Sequence, residues 1–254
     1  MTEETTVKIS LRINRSVIGL LLTLPCPLSH AAEPAPDEHG PDPGFKLTAG
    51  RYAFSNGANG TDINLRNSSN AGNLWLGYYE SRQRNESQWR GGWDRTFDVQ
   101  GIRLSPSLQT ASQGFAAFSA QVEAGDSWFV GTGLGRTNLR PYWNLNFDPN
   151  DSWTASLGRR AITGEVFYLQ QVRDNRQNPD QRHLHAYYRT PLPNGDRLTL
   201  DLLYKTGMVD ENSIHKWGAS IAYDRPRFFV HIAYDPKVNF TADNMWRASL
   251  GTRF

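Results

Sequence analysis

Cysteine is nearly missing from this sequence, which holds a single copy at position 26. One cysteine cannot form an intramolecular disulfide, so such cross-links are excluded as a source of stability. Long apolar runs are missing too. No stretch approaches the roughly 18 consecutive apolar residues of a membrane-spanning helix, and the mean hydropathy is −0.59. A large excess of either positive or negative residues is also missing, because the formal net charge is +2 over 254 residues. We therefore expect no nucleic-acid partner.

The N-terminal segment has the features of a secretory signal peptide. Three basic residues come first, the short apolar run 17–28 follows, and SHA (29–31) offers small residues for cleavage. The run is too short to span a bilayer. We predict that residues 1–31 are a signal peptide for export. Residues 32–44 are rich in proline and acidic residues, and we predict that they form a disordered tether.

Aromatic residues are plentiful, at 12% of the chain, and from residue 45 onward the sequence alternates with a period of two. In the closing stretch WRASLGTRF, Trp246, Leu250 and Phe254 fall on one face and two arginines on the other. This alternation is typical of β-strands. The same alternation runs through segments 183–192, 196–205, 216–224 and 227–235.

A membrane barrel explains this pattern better than a soluble β-sandwich. Trp and Tyr recur at the ends of the apolar rows, where the two membrane interfaces would lie. The polar rows are charged along their length, as expected for a wet interior. We predict an all-β fold for residues 45–254, a transmembrane antiparallel up-and-down β-barrel, with a periplasmic sandwich as the alternative.

We predict 14 strands, or 12 if the first hairpin merges differently. Residues 161–173 have strand composition but break the parity, and we interpret them as extending strand nine and its partner into an outside hairpin. Short turns, PND (149–151) among them, are expected at the end that holds the termini, and longer loops at the opposite end. The predicted strands are 45–54, 61–68, 73–82, 88–97, 102–111, 115–124, 128–137, 141–148, 152–160, 183–192, 196–205, 214–224, 228–236 and 245–254.

The chain resembles the outer-membrane β-barrel class of Gram-negative bacteria. In that class the last strand ends on a phenylalanine that the barrel assembly machinery reads. Phe254 occupies this place, and Trp246, Ala248 and Leu250 share its face, whereas Thr252 departs from the class's preference for a larger apolar residue. The architecture is similar to that of small monomeric oligosaccharide porins. The resemblance implies an outer-membrane location, with outer-membrane lipids and the assembly machinery as partners.

The phase of the strands turns a set of mostly basic side chains toward the lumen. Because basic residues outnumber acidic ones there, we predict a porin-like channel for polar or anionic solutes such as oligosaccharides. A salt-bridged interior that fills a narrow barrel is the competing interpretation. The predicted channel-lining residues are Arg90, Arg103, Arg160, His183, His185, Arg189, Arg197, Lys205, Lys216 and Arg247.

Two other functions stay open as alternatives. An outer-membrane lipid hydrolase would need a serine and a histidine on the lipid face, and the pair Ser213 and His215 has that phase, with Glu211 or Asn212 to orient the imidazole. A structural barrel that displays its loops to partners is the second alternative. We assign no catalytic residue and expect no cofactor. His183 and His185 share a strand face, but two ligands do not make a metal site, so we predict none.

Overall fold

The structure is a computed structural model that describes residues 44–254 except 144 and 179. The predicted signal peptide 1–31 and all but the last residue of the predicted tether lie outside the described residues. Gly44, which we placed in the tether, opens the first strand. Among the described residues, no helix combines the length and apolar character needed to cross a bilayer.

The strands form a single closed antiparallel sheet. Each strand except β4 pairs with the next in the chain, and β1 pairs with β15. β4 pairs with β6 and bypasses the three-residue β5. The predicted 14-strand antiparallel barrel is therefore confirmed, with β5 as an extra ribbon on β6. The strands are β1 (Gly44–Phe54), β2 (Asn59–Ser69), β3 (Gly72–Ser81), β4 (Glu86–Asp94), β5 (Phe97–Val99), β6 (Ile102–Ala111), β7 (Phe115–Ala124), β8 (Trp128–Thr137), β9 (Ser152–Arg160), β10 (Val166–Asp174), β11 (Arg182–Pro191), β12 (Arg197–Val209), β13 (Asn212–Asp224), β14 (Phe228–Asp235) and β15 (Met245–Arg253).

The barrel has two different ends. At the terminal end, where β1 begins and β15 finishes, the connections are 70–71, 95–101, 125–127, 161–165, 192–196 and 225–227. At the opposite end, the loop end, the connections are 55–58, 82–85, 112–114, 138–151, 175–181, 210–211 and 236–244. The longest connection of all is 138–151, at the loop end.

One of the predicted strands is wrong, although the strand number is right. Segment 141–148 is not a strand but part of the 138–151 connection, and its place in the barrel is taken by β10, Val166–Asp174. Proline at 141 and 149 brackets the first segment, and proline cannot donate to a ladder. The alternation of apolar and polar residues did not identify β10, because the Val172 side chain points into the barrel and the Arg173 side chain points outward. As a result β9 runs in the opposite direction to the prediction, and PND (149–151) lies at the loop end.

The outer surface of the barrel is an apolar belt bordered by aromatic residues. Leucine, isoleucine and valine side chains alternate outward along the strands, as at Leu76, Ile221 and Leu250. Three cross-strand Tyr–Trp pairs mark the loop end of the belt. They are Tyr78–Trp89, Tyr204–Trp217 and Tyr234–Trp246, with ring centroids 4.8, 4.7 and 4.9 Å apart.

Exposed rings border the terminal end of the belt as well, among them Phe45, Trp128, Phe228 and Phe254. From Trp246 to Phe254 the strand covers roughly 27 Å at about 3.4 Å per residue. That distance, on a tilted strand, suits the apolar thickness of a membrane barrel. The fold is thus inside-out relative to a soluble protein, with its apolar surface on the exterior.

The C-terminal residue closes the barrel. The Phe254 amide donates to the Phe45 carbonyl (2.9 Å), and the Phe45 amide donates to the Phe254 carbonyl (2.8 Å). The two rings stack with centroids 5.9 Å apart on the outer face. Phe254 therefore contributes two ladder hydrogen bonds in addition to its exposed ring.

Deleting Phe254 should destabilise the refolded barrel more than Phe254→Ala does. The deletion removes both ladder bonds, each worth about 1 kcal/mol, whereas alanine keeps the backbone and loses only the ring contact, worth about 0.5–1.5 kcal/mol. The measurement is the temperature at which the detergent-refolded barrel loses its heat-dependent gel mobility. Equal midpoints for the two variants would show that the ladder bonds at this position contribute nothing.

Candidate functional site: the polar lumen and its inward-folded loop

All ten predicted lining residues share the inward phase of their strands. Arg90, His183, His185, Arg189 and Lys205 are buried, and Arg103, Arg160, Arg197 and Arg247 are half-buried. Lys216 has the same phase but is exposed near the loop end, opposite Lys205 in the β12–β13 pair. The interior that these residues occupy is highly polar, since buried glutamine, serine and aspartate side chains lie among them.

Basic residues form a ring at the terminal end of the lumen, which we call the basic ring. Seven inward cations lie within three residues of the strand ends there, against four carboxylates on the same face. The excess of cations gives this mouth a positive field, which low-dielectric walls focus. The cations are Lys46, Arg66, Arg103, Arg160, Arg189, Arg197 and Arg253, and the carboxylates are Asp94, Asp98, Glu123 and Asp224.

Single carboxylates in the basic ring are each shared by two arginines. Glu123 accepts from Arg160 at 2.5 Å and from Arg103 at 3.3 Å. Asp224 accepts from Arg253 at 2.6 Å and lies 3.8 Å from Arg197. The Asp224 cluster therefore keeps a net positive charge after its ion pairs have formed. The Glu123 cluster is balanced, because Arg103 also pairs with Asp98 of β5 at 3.3 Å.

Aromatic faces support the cations of the basic ring. The Arg160 guanidinium lies 4.0 Å from the centroid of Phe129. The Lys46 ammonium lies 4.6 Å from the centroid of the Phe229 ring, and the Arg253 guanidinium lies 5.2 Å from the same centroid. Cation–π contacts of this kind hold the charged groups in position against the wall.

The 138–151 connection, which we call the inner loop, is anchored at its base to the rim. The Thr137 hydroxyl donates to Asp151 at 2.6 Å, and the Thr137 amide donates to the same carboxylate at 3.2 Å. Asn138 binds the neighbouring connection, donating to the Gly114 carbonyl at 2.7 Å. These bonds close the base of the inner loop, and the intervening residues run into the barrel.

Side chains from β4 and β15 hold the backbone of the inner loop. Gln88 of β4 donates to the Pro141 carbonyl at 3.1 Å and accepts from the Trp143 amide at 3.0 Å. Arg247 of β15 donates to the Leu145 carbonyl at 3.0 Å. Tyr142 stacks on Phe115 of β7 with ring centroids 4.2 Å apart. The inner loop is thus fastened across the lumen.

Apolar side chains of the inner loop pack against the walls near the loop end. Leu145 lies in a buried cluster with Tyr52, Tyr79, Met245 and Val238. Val238 comes from the 236–244 connection, so two loops fill this part of the lumen together. A small cleft of about 30 Å³ remains beside them, lined by Trp143, Val238, Arg84 and Glu86 among others.

The last part of the inner loop brings a carboxylate to the predicted histidine pair. Asp148 Oδ1 lies 2.6 Å from His183 Nδ1 and 2.9 Å from His185 Nε2. Burial alone would raise the pKa of the Asp148 carboxyl. The charge of His185 and the hydrogen bonds to both imidazoles outweigh burial and hold this pKa well below its ordinary value. Asp148 is therefore a buried, ionised acceptor. Sequence reasoning missed this third member because it placed Asp148 at the end of a strand.

The lipid-face pair of the hydrolase alternative is close in space. Ser213 Oγ lies 3.4 Å from His215 Nε2, and the Tyr204 hydroxyl lies 3.0 Å from His215 Nδ1. The group beside His215 Nδ1 is thus a tyrosine, not Glu211 or Asn212 as we expected for the orienting residue. All these side chains are on the exposed outer face near the loop end. The hydrolase alternative stays a prediction.

No protein-family model and no curated protein matches this chain. Among solved structures, it is similar to NanC porin, at 9% identity and a TM-score of 0.44, covering 82% of this chain and 100% of that one. It is also similar to KdgM porin in complex with disordered oligogalacturonate, at 10% identity and a TM-score of 0.41, covering 82% of this chain and 99% of that one. A mutant of the Rh. blastica porin is similar at 8% identity and a TM-score of 0.44, covering 84% of this chain and 99% of that one. At these identities and TM-scores the similarity assigns neither family nor function.

Gln88→Ala should release the inner loop locally while leaving the barrel closed. Alanine removes the acceptor of the Trp143 amide and the donor to the Pro141 carbonyl. A net loss of about 1 kcal/mol predicts that exchange of the Trp143 amide accelerates up to about tenfold. Hydrogen–deuterium exchange of peptides covering 138–151 measures this. Gln121→Ala, at an inward glutamine of β7, is the matched control. Unchanged exchange in the Gln88 variant would show that this clamp does not hold the loop.

Proposed function

We propose that this chain is an outer-membrane porin-like channel that passes small polar or anionic solutes, oligosaccharides among them. The observation that carries the proposal is the combination of an apolar exterior with a charged interior in a closed barrel of 14 strands. An apolar belt suits a lipid environment, and a charged lumen suits water and polar solutes. Barrels of eight strands are filled by side chains and those of 16 hold aqueous channels.

The inner loop makes the proposed channel narrow. It crosses the lumen near the loop end and takes up space that 14 strands would otherwise leave to water. A channel of this kind passes small or extended solutes and excludes folded or branched ones. Trp143 at the cleft offers an aromatic face on which a sugar ring could stack.

The basic ring gives the proposed channel a modest preference for anions. Rings of charged side chains set pore selectivity through their field at close range. Because Glu123 and Asp224 offset part of the positive charge, the preference should be small. It should also fade as the salt concentration rises and screening increases.

Reversal potentials in a planar bilayer under a KCl gradient test this proposal. The wild-type barrel should favour chloride. Arg160→Gln should move the reversal potential toward potassium, because Arg160 faces the lumen beside Glu123. Its neighbour Arg159 is exposed on the outer face near Trp128. Arg159→Gln removes the same charge at the same height and should leave the reversal potential where it was.

Two results would contradict the channel proposal. Absence of any current steps from heat-modifiable, correctly folded protein would favour the filled-barrel interpretation. Equal shifts for the Arg160 and Arg159 variants would show that the lumen charge does not govern selectivity.

Phe254 is also proposed to be the signal by which the barrel assembly machinery recognises the chain. Phe254→Ala keeps the ladder bonds, so an effect of this variant in cells reports on recognition rather than on closure. The expected result is a several-fold lower level in the outer-membrane fraction and accumulation in the periplasm. Phe228→Ala, which removes an exposed ring at the same end of the barrel, is the control. Normal outer-membrane levels of the Phe254 variant would rule out this role.

A further inference from the structure

We propose that Asp148, His183 and His185 bind a divalent transition-metal ion such as Zn²⁺, which fastens the inner loop to the barrel wall. The two histidines belong to β11, and the aspartate belongs to the inner loop. A metal ion bound by all three would therefore join two parts of the chain that lie 35 residues apart in sequence. The proposal concerns binding and does not depend on conduction by the lumen.

The three ligand atoms already converge. One nitrogen from each imidazole and one Asp148 oxygen all lie within 4.8 Å of one another. In a tetrahedral zinc site with bonds of about 2.0–2.2 Å, neighbouring ligand atoms lie roughly 3.4 Å apart. The Asp148 oxygen is 2.6 and 2.9 Å from the two nitrogens, so small side-chain rotations would open the space for an ion.

His185 has the outer partner that metal-binding histidines need. Its Nδ1 lies 3.0 Å from both carboxylate oxygens of Asp201, while its Nε2 faces Asp148. A carboxylate on the distal nitrogen fixes the tautomer and orientation of a metal-bound imidazole and raises its basicity. The Nδ1 proton would stay in its hydrogen bond to Asp201, while an ion bound at Nε2 would displace the proton that Nε2 shares with Asp148.

His183 is a fully buried imidazole whose hydrogen-bonding capacity is only partly used. Its ring is stacked on Phe240 with centroids 5.4 Å apart, which fixes its plane. Nδ1 faces Asp148, but Nε2 is buried with no hydrogen-bond partner among the described residues. Nδ1 is therefore the atom that His183 would offer to the ion, and the fixed ring plane holds that atom in position beside Asp148.

The local charge balance is compatible with a divalent cation in place of the His185 proton. The carboxylates near the histidine pair are those of Asp148, Asp201 and Asp235, and Lys205 donates to Asp235. Lys205 and Arg247 offset two of the three negative charges, and the charge of His185 offsets the third. A divalent ion that displaces the Nε2 proton of His185 would take over this role.

The donor set selects the class of metal. Two imidazole nitrogens and one carboxylate oxygen suit Zn²⁺, Co²⁺ and Ni²⁺. Mg²⁺ and Ca²⁺ prefer oxygen ligands and higher coordination numbers, which this cluster does not supply. Three protein ligands also leave a coordination position that water could fill.

Calorimetric titration of the mature full-length chain tests the proposal. The protein is purified in detergent without a polyhistidine tag and titrated separately with Zn²⁺ and Mg²⁺. We expect saturable binding of one Zn²⁺ per chain, no binding of Mg²⁺, and a higher melting temperature in Zn²⁺. Co²⁺ should give the visible absorption bands of a low-coordinate nitrogen–oxygen site. The absence of saturable Zn²⁺ binding to the wild-type barrel would overturn the proposal.

Variants locate the site. His183→Gln and Asp148→Asn should each weaken Zn²⁺ binding more than tenfold, and Asp201→Asn should weaken it by about 10–100-fold through loss of the partner of His185. His231→Gln, which removes an inward imidazole of β14 outside the cluster, should bind as the wild type does. Heat-dependent gel mobility confirms that each variant is folded. Wild-type affinity in folded His183→Gln and Asp148→Asn would place the bound zinc elsewhere and overturn the proposal.

Discussion

Pairing of every backbone N–H and C=O without help from water is the constraint from which this structure follows. A strand that faces lipid can satisfy its polar groups only through its neighbours, so the sheet must close. The β1–β15 ladder, which the two bonds between Phe45 and Phe254 extend, and the β4–β6 ladder complete this closure. In a closed sheet whose exterior is apolar, every second side chain along each strand points into the lumen. The charged lumen is therefore a direct consequence of the backbone requirement.

An interior of charged groups must in turn be satisfied from within. The structure does this differently at its two ends. At the terminal end, Glu123 and Asp224 are each shared by two arginines, which satisfies the carboxylates but leaves net positive charge. At the loop end, the inner loop supplies both apolar side chains and the Asp148 carboxylate. Polar pairing and apolar packing thus coexist in one lumen.

Strand phase was predictable from the sequence because alternation has a period of two and a one-residue error would reverse every face. The phase placed all ten lining residues inward. The sequence was misleading at 141–148, where Trp143, Leu145 and Phe147 alternate as a strand does, although Pro141 and Pro149 signalled an unpaired segment. The approach of Asp148 to His183 was not predictable. It depends on how a loop folds back across the lumen, and alternation carries no information about that.

The width of the lumen and its excess positive charge are set at different ends of the barrel, the width by the inner loop and the charge by the basic ring. The backbone of the inner loop is held by Gln88 and Arg247, which belong to β4 and β15, and its aromatic residue Tyr142 rests on Phe115 of a third strand. A segment held at several points has one preferred position, so the width near the loop end is set by packing. The basic ring lies at the other end and is built from strand residues alone. In the proposed channel, changes in the loop should therefore alter which solutes fit, whereas changes in the ring should alter which charges are favoured.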